Sequence, residues 1–390
     1  MIYYIDFKNG RKENSGTDEN YPINYYRELE LNRGDTVLFK RGTFIRDCLY
    51  NKDGISYGAY GEGENPTFCG SVNLSDPTVW EEREKNLWRP RVELKTEVCN
   101  IVFDGGSSYG TLRYSKKDLI ADGDFFDSRG GCGEGNINDT EFFLFCSVNP
   151  ALKYSDIECV LRVHRSLAEM GEGMTFSDLS FINNGVHGIA GLNPARNIHI
   201  KNCTFRNIGG SIWSKKNRIR FGNAVECWDV AENIVVEDCV FDNIYDSAVT
   251  HQGAYKCVPA VNFIIRNNVF KKCGMAAYEQ RDLMPEYAEF SDNICTEAGE
   301  GFSKLGETMP RRSEIWPQPM GHHIFLWRIE NPTENGIIKI ENNKFGSSPY
   351  GEAIYSIISP DAEKQLKLSH NVFSGNTCSK KRGRDAVSFV

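Results

Sequence analysis

From about Leu179 to Phe373 the chain alternates apolar and polar positions in short runs, and one run keeps returning. The copies are Leu179–Asn184, Ile198–Phe205, Val235–Phe241, Ile264–Phe270, Glu289–Cys295, Lys339–Phe345 and Lys367–Phe373. Each holds a β-branched or aromatic stretch of period two, then Asn or Cys, then Phe in most copies. Alternation of this kind predicts short strands with one face buried. A unit returning every roughly 25 to 50 residues predicts a solenoid in which each copy stacks on the last. The pattern therefore predicts an all-β fold, a parallel β-helix in a single domain over residues 1–390. Regular coils run from about 175 to 375, and an irregular insertion occupies about 76–140.

Equivalent positions on adjacent coils should lie about 4.8 Å apart, the spacing of paired strands. Phe205, Phe241, Phe270, Phe345 and Phe373 are expected to form an interior aromatic ladder, with Cys295 and Val186 at the remaining levels. Asn184, Asn268, Asn293, Asn343 and Asn371 are expected to stack at a bend, with Cys203 and Cys239 replacing Asn on two coils. Stacked amides can satisfy the backbone groups that a bend removes from the sheet.

The N-terminal region opens with a strand within Met1–Phe7, a turn at Arg33–Asp35, a strand over Thr36–Phe39 and a second turn at Arg41–Gly42. Further short strands and glycine turns follow at Tyr57–Gly63 and Gly70–Leu74. The stretch Arg33–Phe44 resembles the first coil of the pectate-lyase-like superfamily, which implies a right-handed parallel β-helix. Glu141–Ala151 with Tyr154–Glu158 reads as strand leading into the repeats. It is similar to bacterial β-helical glycoside hydrolases of the β-xylosidase and α-fucosidase type, and that resemblance implies paired carboxylates on successive coils. The tail Ser379–Arg384 is basic and reads as a solvated turn before a last strand at Asp385–Val390.

Composition narrows the partners. A formal charge of −8 disfavours nucleic acid and anionic membranes. The thirteen cysteines are scattered without paired spacing, as expected of buried thiols in a reducing compartment. The first residues carry no basic, apolar leader, so a cytoplasmic location is expected; a leader removed upstream would instead mean secretion. Nothing in the pattern fixes an oligomeric state.

Chemistry-bearing residues gather on a second strand in each coil. Aligned on the apolar residues Val225, Val249, Tyr278 and Ile324, these strands present an outward column of Glu226, Thr250, Glu279, Phe325 and Tyr355. A second outward column holds Trp228, Gln252, Arg281 and Trp327. Carboxylates, an amide, a guanidinium and aromatic plates together suit a carbohydrate, whose ring faces stack on aromatics while its hydroxyls take polar partners. Solvated faces of a solenoid also carry charges, but they seldom carry Trp. Two insertions, Ser211–Phe221 and Glu300–His322, precede these strands and bring Trp213, Lys215, Lys216, Arg218, Arg311, Arg312 and Trp316. Insertions entering one face of a repeat array commonly wall a binding site.

Three carboxylates are candidates for catalysis: Glu226, Asp246 and Glu279. Glu226 and Glu279 stand two coils apart, roughly 9 to 10 Å, near the upper end of the inverting range. Asp246, on the intervening coil, could stand about one coil from either, near the retaining spacing. Both outcomes stay open. Candidate substrate-binding residues are Trp228, His251, Gln252, Arg281, His322, His323, Trp327 and Arg328. His187 also lies beside these strands. His322 and His323 are neighbours on a strand and face opposite ways, and His251 has inward parity, so the histidines suggest no metal ligand set.

The leading expectation is a glycoside hydrolase without cofactor, acting on an oligo- or polysaccharide. A second is a polysaccharide lyase for a uronate polymer, with calcium held by Glu226, Asp246 and Glu279 and a proton removed by Arg281 or a Lys. A third is a non-catalytic carbohydrate-binding solenoid.

Overall fold

The computed structural model describes residues 1–131, 141–191, 193–253, 258–306, 320–331 and 333–374. Arg311, Arg312 and Trp316, and the whole tail from Ser379 to Val390, lie outside them. Three long parallel sheets, of ten, nine and seven strands, run side by side along the chain, and seven central coils contribute one strand to each as they wind, while the terminal coils reach only the first or the first two. The fold is a parallel β-helix, as the repeats predict. Along the first sheet the interior column reads Val37, Tyr57, Phe176, Ile200, Val236, Ile265, Phe290 and Ile340, residue facing residue. All eight are buried.

The second sheet carries the aromatic ladder. Phe68, Phe181, Phe205, Phe241 and Phe270 stack in register, with ring centroids 5.9, 5.5, 4.9 and 4.8 Å apart. Cys295 occupies the next level, as expected, and leaves room for a ring. Phe290 of the first sheet fills it, stacking on Phe270 at 5.6 Å and on Phe345 at 6.2 Å before Phe373 completes the row. Each such pair adds about 0.5–1.5 kcal/mol beyond its buried area.

The amide ladder forms as well. Asn293 Oδ1 accepts from the backbone N–H of Asn268, Asn343 Oδ1 from that of Asn293, and Asn371 Oδ1 from that of Asn343, at 2.9–3.0 Å. Cys239 and Cys203 continue the column. The first coil differs from expectation. Phe181, not Val186, pairs with Phe205, so Leu179 takes the Cys203 level and Asn184 faces Ile208. The Asn183–Asn184 pair mimics the repeat five residues late. Asn183 in fact begins another amide stack, with Asn207 and Asn243, whose left-handed backbone (φ 51–62°) suits Asn.

Three insertions leave the helix at the same bend, between the second and third sheets. The largest holds mostly antiparallel strands from Ser71 to Leu161 in sheets of four and five strands around its own core. Phe142–Phe145 belongs there, followed by a short helix at Pro150–Lys153, rather than leading into the repeats. The second insertion is a hairpin, Ser211–Ser214 against Ile219–Phe221, whose Ile212 packs into the core of the first. The third begins with a single helical turn at Gly301–Lys304. Glu97 clamps two of them: it accepts from Ser211 Oγ at 2.9 Å and from the Ile212 N–H at 2.7 Å. The ten described cysteines are free, and nine are buried.

Candidate active site

All three insertions leave the coils just before strands of the third sheet. Its strands, Ser166–Glu169, His187–Gly191, Val225–Cys227, Ser247–His251, Ala276–Leu283, Ile324–Asn331 and Ile354–Ile358, pair in that order. The register aligns Ala190, Glu226, Thr250, Glu279, Phe325 and Tyr355 in one column, the order expected from the sequence. In the second column Arg281 pairs with Trp327, while Trp228 and Gln252 carry the ladder one residue past their strands. The first column is buried rather than solvated: Glu226, Thr250 and Glu279 are each 0% exposed.

The two carboxylates differ in their surroundings. Glu279 Oε1 takes the Arg281 Nε–H and Oε2 accepts from Ser247 Oγ at 2.7 Å. Burial works against the Arg281 charge, but Glu279, with Asp246 and Glu226 beyond it, holds the guanidinium protonated above its usual range. Glu226 Oε2 accepts from the Asn223 side chain. Its Oε1 has no hydrogen-bond partner among the described residues, and neither has the neighbouring Thr250 Oγ1. Burial first, then the charges of Glu279 and Asp246, push the Glu226 carboxyl up to about 8. Asp246 is half-buried just before Ser247 and reaches both Glu226 and Arg281 electrostatically.

A further column, two residues before the inward apolar position of each coil, organises this pair, and the sequence reading passed it over. His187 Nδ1 accepts the Asn223 N–H at 3.1 Å, Asn223 Oδ1 accepts the Ser247 N–H at 2.9 Å, and His322 Nδ1 accepts the Glu352 N–H at 2.8 Å. These side chains bridge coil to coil at the bend, where the sheet ladder stops. Asn223 and Ser247 thereby link Glu226 to Glu279. The shared offset from Val225 and Val249 is the signal that could have located them.

The histidines divide between the outer face and the interior. His322 lies on the outer face, stacked on Tyr355 at 4.7 Å and Phe325 at 5.7 Å. His251 and His323 correct the expectation of substrate contact, because both face the interior. His251 takes hydrogen bonds with Gln280 at 3.0 Å and the Asp229 carbonyl at 3.1 Å, and packs near Phe263. His323 bonds the Gly346 carbonyl at 3.0 Å and stacks on Phe345 of the aromatic ladder. Burial depresses both to about 4, so they are neutral at pH 7.

Apolar plates flank the carboxylates along the helix axis. On one side Phe325, Tyr355 and Met275 form a small outer cluster against which Trp327 packs, its ring 5.2 Å from Phe325. On the other, Phe221 meets His187 at 5.8 Å and Trp213 at 5.6 Å, with Trp213 49% exposed. Arg328 is exposed, lies over Trp327 and pairs with Asp282 at 3.2 Å.

The fold has solved counterparts. A GH136 lacto-N-biosidase from Eubacterium ramulus (selenomethionine derivative) aligns over 96% of this chain and 56% of its own, with a TM-score of 0.53 and 13% identity. XylC, in complex with xylose, aligns over 90% of this chain and 66% of its own, with a TM-score of 0.50 and 14% identity. The chain thus spans between about half and two thirds of these neighbours' lengths. No protein-family model and no curated protein matches it. The likeness establishes the fold, and the chemistry rests on the side chains.

Proposed function

We propose that this protein is a glycoside hydrolase in which Glu226 is the general acid and Glu279 the ionised partner. One observation carries the reading. Two buried carboxylates share a column two coils apart, one unpaired at Oε1 and held protonated to about 8, the other fixed between Arg281 and Ser247. A carboxyl that keeps its proton beside a carboxylate bound by a guanidinium lets one site supply an acid and a base together. Glu226 delivers its proton from Oε1 to the leaving glycosidic oxygen. Glu279 stabilises the oxocarbenium-like transition state and acts on water or on the anomeric carbon. Thr250 Oγ1, between them and without a hydrogen-bond partner among the described residues, suits a sugar hydroxyl, and the flanking Trp and Phe rings suit the apolar faces of sugar rings. The two structural neighbours, a lacto-N-biosidase and a protein bound to xylose, point the same way.

The donor set argues against the calcium-dependent lyase. Asn223, Ser247 and Arg281 aim hydrogens at the very oxygens a cation needs. The oxygens of Glu226, Asp246 and Glu279 also do not converge into a cluster within 4.8 Å. The test is purified protein on aryl glycosides, neutral oligosaccharides and uronate polymers, with and without EDTA. The expected result is new reducing ends without the ultraviolet absorbance of an unsaturated uronate, unaffected by EDTA and lost in Glu226→Gln and Glu279→Gln. An EDTA-sensitive rise in absorbance would replace the hydrolase by a lyase. Binding of oligosaccharide without turnover would leave a carbohydrate-binding solenoid.

A further inference from the structure

A second group of reactive side chains lies at the N-terminal end of the third sheet, where Ser166–Glu169 pairs on one side only. The segment after Phe44–Ile45 covers the free edge of that strand. The Leu49 N–H donates to the Leu167 carbonyl at 2.7 Å, and the Asn51 side chain bonds both the N–H and the carbonyl of Glu169, at 3.0 and 2.6 Å. This pairing holds Asp47 and Cys48 against His164, from a part of the chain more than a hundred residues away. A cleft of about 540 Å³ opens between the segments, lined in part by Cys48, His164, Tyr50 and Lys52.

A carboxylate oxygen of Asp47, the Cys48 sulfur and a ring nitrogen of His164 all lie within 4.8 Å of one another. His164 Nε2 stands 3.1 Å from Asp47 Oδ1. Ligands of a tetrahedral ion with bonds of about 2.0–2.3 Å are themselves roughly 3.2–3.8 Å apart, so the three need to move little to share one ion. The rest of the setting favours this. Arg27 binds the other Asp47 oxygen and stacks on Tyr50, its guanidinium 3.6 Å from the ring centre. The Cys48 N–H fixes Asp47 Oδ1 at 2.8 Å. Outer partners of this kind orient a ligating carboxylate. Arg27, Lys52 and Arg165 line the same cleft, with Glu169 opposing them, and an ion would add charge only in exchange for the Cys48 proton. Cys48 is also the one described cysteine that is not buried, and it lies at a cleft rather than in the core.

We propose that Asp47, Cys48 and His164 bind one divalent transition-metal ion of the zinc class, with a fourth coordination position open to the cleft. Three protein ligands plus one exchangeable position is the arrangement that lets zinc hold a water or a substrate oxygen. The site stands apart from Glu226 and Glu279, and it holds whether or not the protein cleaves glycosides.

The experiment is titration of the chelator-treated full chain with Zn2+ by calorimetry, and with Co2+ by absorption. The expected result is one ion per chain, visible bands of tetrahedral Co2+ and a near-ultraviolet sulfur-to-cobalt band. Cys48→Ser should abolish the sulfur band. His164→Ala should weaken Zn2+ binding at least tenfold, as loss of a ligand requires. Each variant's circular dichroism and metal-free melting temperature, compared with wild type, separate loss of the site from loss of the fold. Absence of binding would overturn the assignment. So would a sulfur band that survives Cys48→Ser, because it would belong to another thiol.

Discussion

The hydroxyl of Ser247 donates to Glu279 Oε2 at 2.7 Å, while its backbone amide is held at 2.9 Å by Asn223, the residue that donates to Glu226. The two carboxylates are thus positioned by one polar chain that leaves Glu226 Oε1 as the unengaged oxygen. An acid so placed matters in proportion to how poor the leaving group is. Glu226→Gln should cost about 10²–10⁴ in kcat/KM on an unactivated glycoside. It should cost far less on a nitrophenyl glycoside, whose leaving group needs no proton. Kinetics on the two substrates decide it: equal losses on both would remove Glu226 from the role of acid.

The same residue should set the alkaline limit of both activity and stability. The folded Glu226 carboxyl titrates near 8, against 4.5 for the free side chain. Between those values the native state holds a proton that the unfolded chain has lost, so stability falls as pH rises. Glu97, pushed up to about 7 chiefly by burial, adds to the fall below pH 7. His187, His251 and His323, depressed to about 3, 4 and 4 by burial, act in the opposite sense below 6.5. From pH 7 to 8, Glu226 is the main one of these five still titrating, with the upper half of the Glu97 titration beside it. Glu226 should contribute a loss of about 1 kcal/mol over that unit, so the loss in Glu226→Gln should shrink to the few tenths of a kcal/mol, roughly, that Glu97 supplies. Urea denaturation at the two pH values measures it, and parallel losses would place the titration elsewhere.

Much of this was legible because a strand has a period of two. Once Val225, Val249, Tyr278 and Ile324 are taken as inward, the register of Glu226, Thr250 and Glu279 follows, whereas His322 and His323, which precede their strand, face the reverse of what alternation from Ile324 gives. The bends were less legible, because period two stops there and side chains take over the backbone bonding. Asn184 was assigned to the ladder from its Asn-Asn pair, although Phe181 sets the register. Asn223 and Ser247 were missed for the same reason. Burial of the outer column could not be read from alternation, which gives the side a residue faces and not what covers it.

The amide ladder makes its own prediction. Asn293 accepts from the Asn268 N–H at 2.9 Å and from the Asn268 side chain at 3.1 Å, and it donates to the Ile265 carbonyl at 3.0 Å. Asn293→Ala would leave these buried groups unpaired at about 1–3 kcal/mol each, partly relieved by relaxation. A loss of about 2–4 kcal/mol is expected in chemical denaturation. Asn371→Ala, at the last described rung and only partly buried, should cost distinctly less. Equal costs would mean that the stack contributes little beyond its packing.

Stereochemistry follows from the strand count between the carboxylates. Thr250 separates Glu226 from Glu279 in the register, so two strand spacings, about 9.6 Å, lie between their backbones. Both side chains are Glu and leave the same face, which keeps the carboxyl groups near the upper part of the roughly 6.5–9.5 Å range that admits a water between acid and base. Asp246 stands closer in the coil order, but it lies at the bend rather than in the column. Inversion is therefore expected. Proton NMR of the first product formed reads the anomer before mutarotation. A retained anomer would move the nucleophile to Asp246, and Asp246→Asn would then abolish turnover where inversion predicts only a shift in the titration of Glu226, whose proton Asp246 helps to hold.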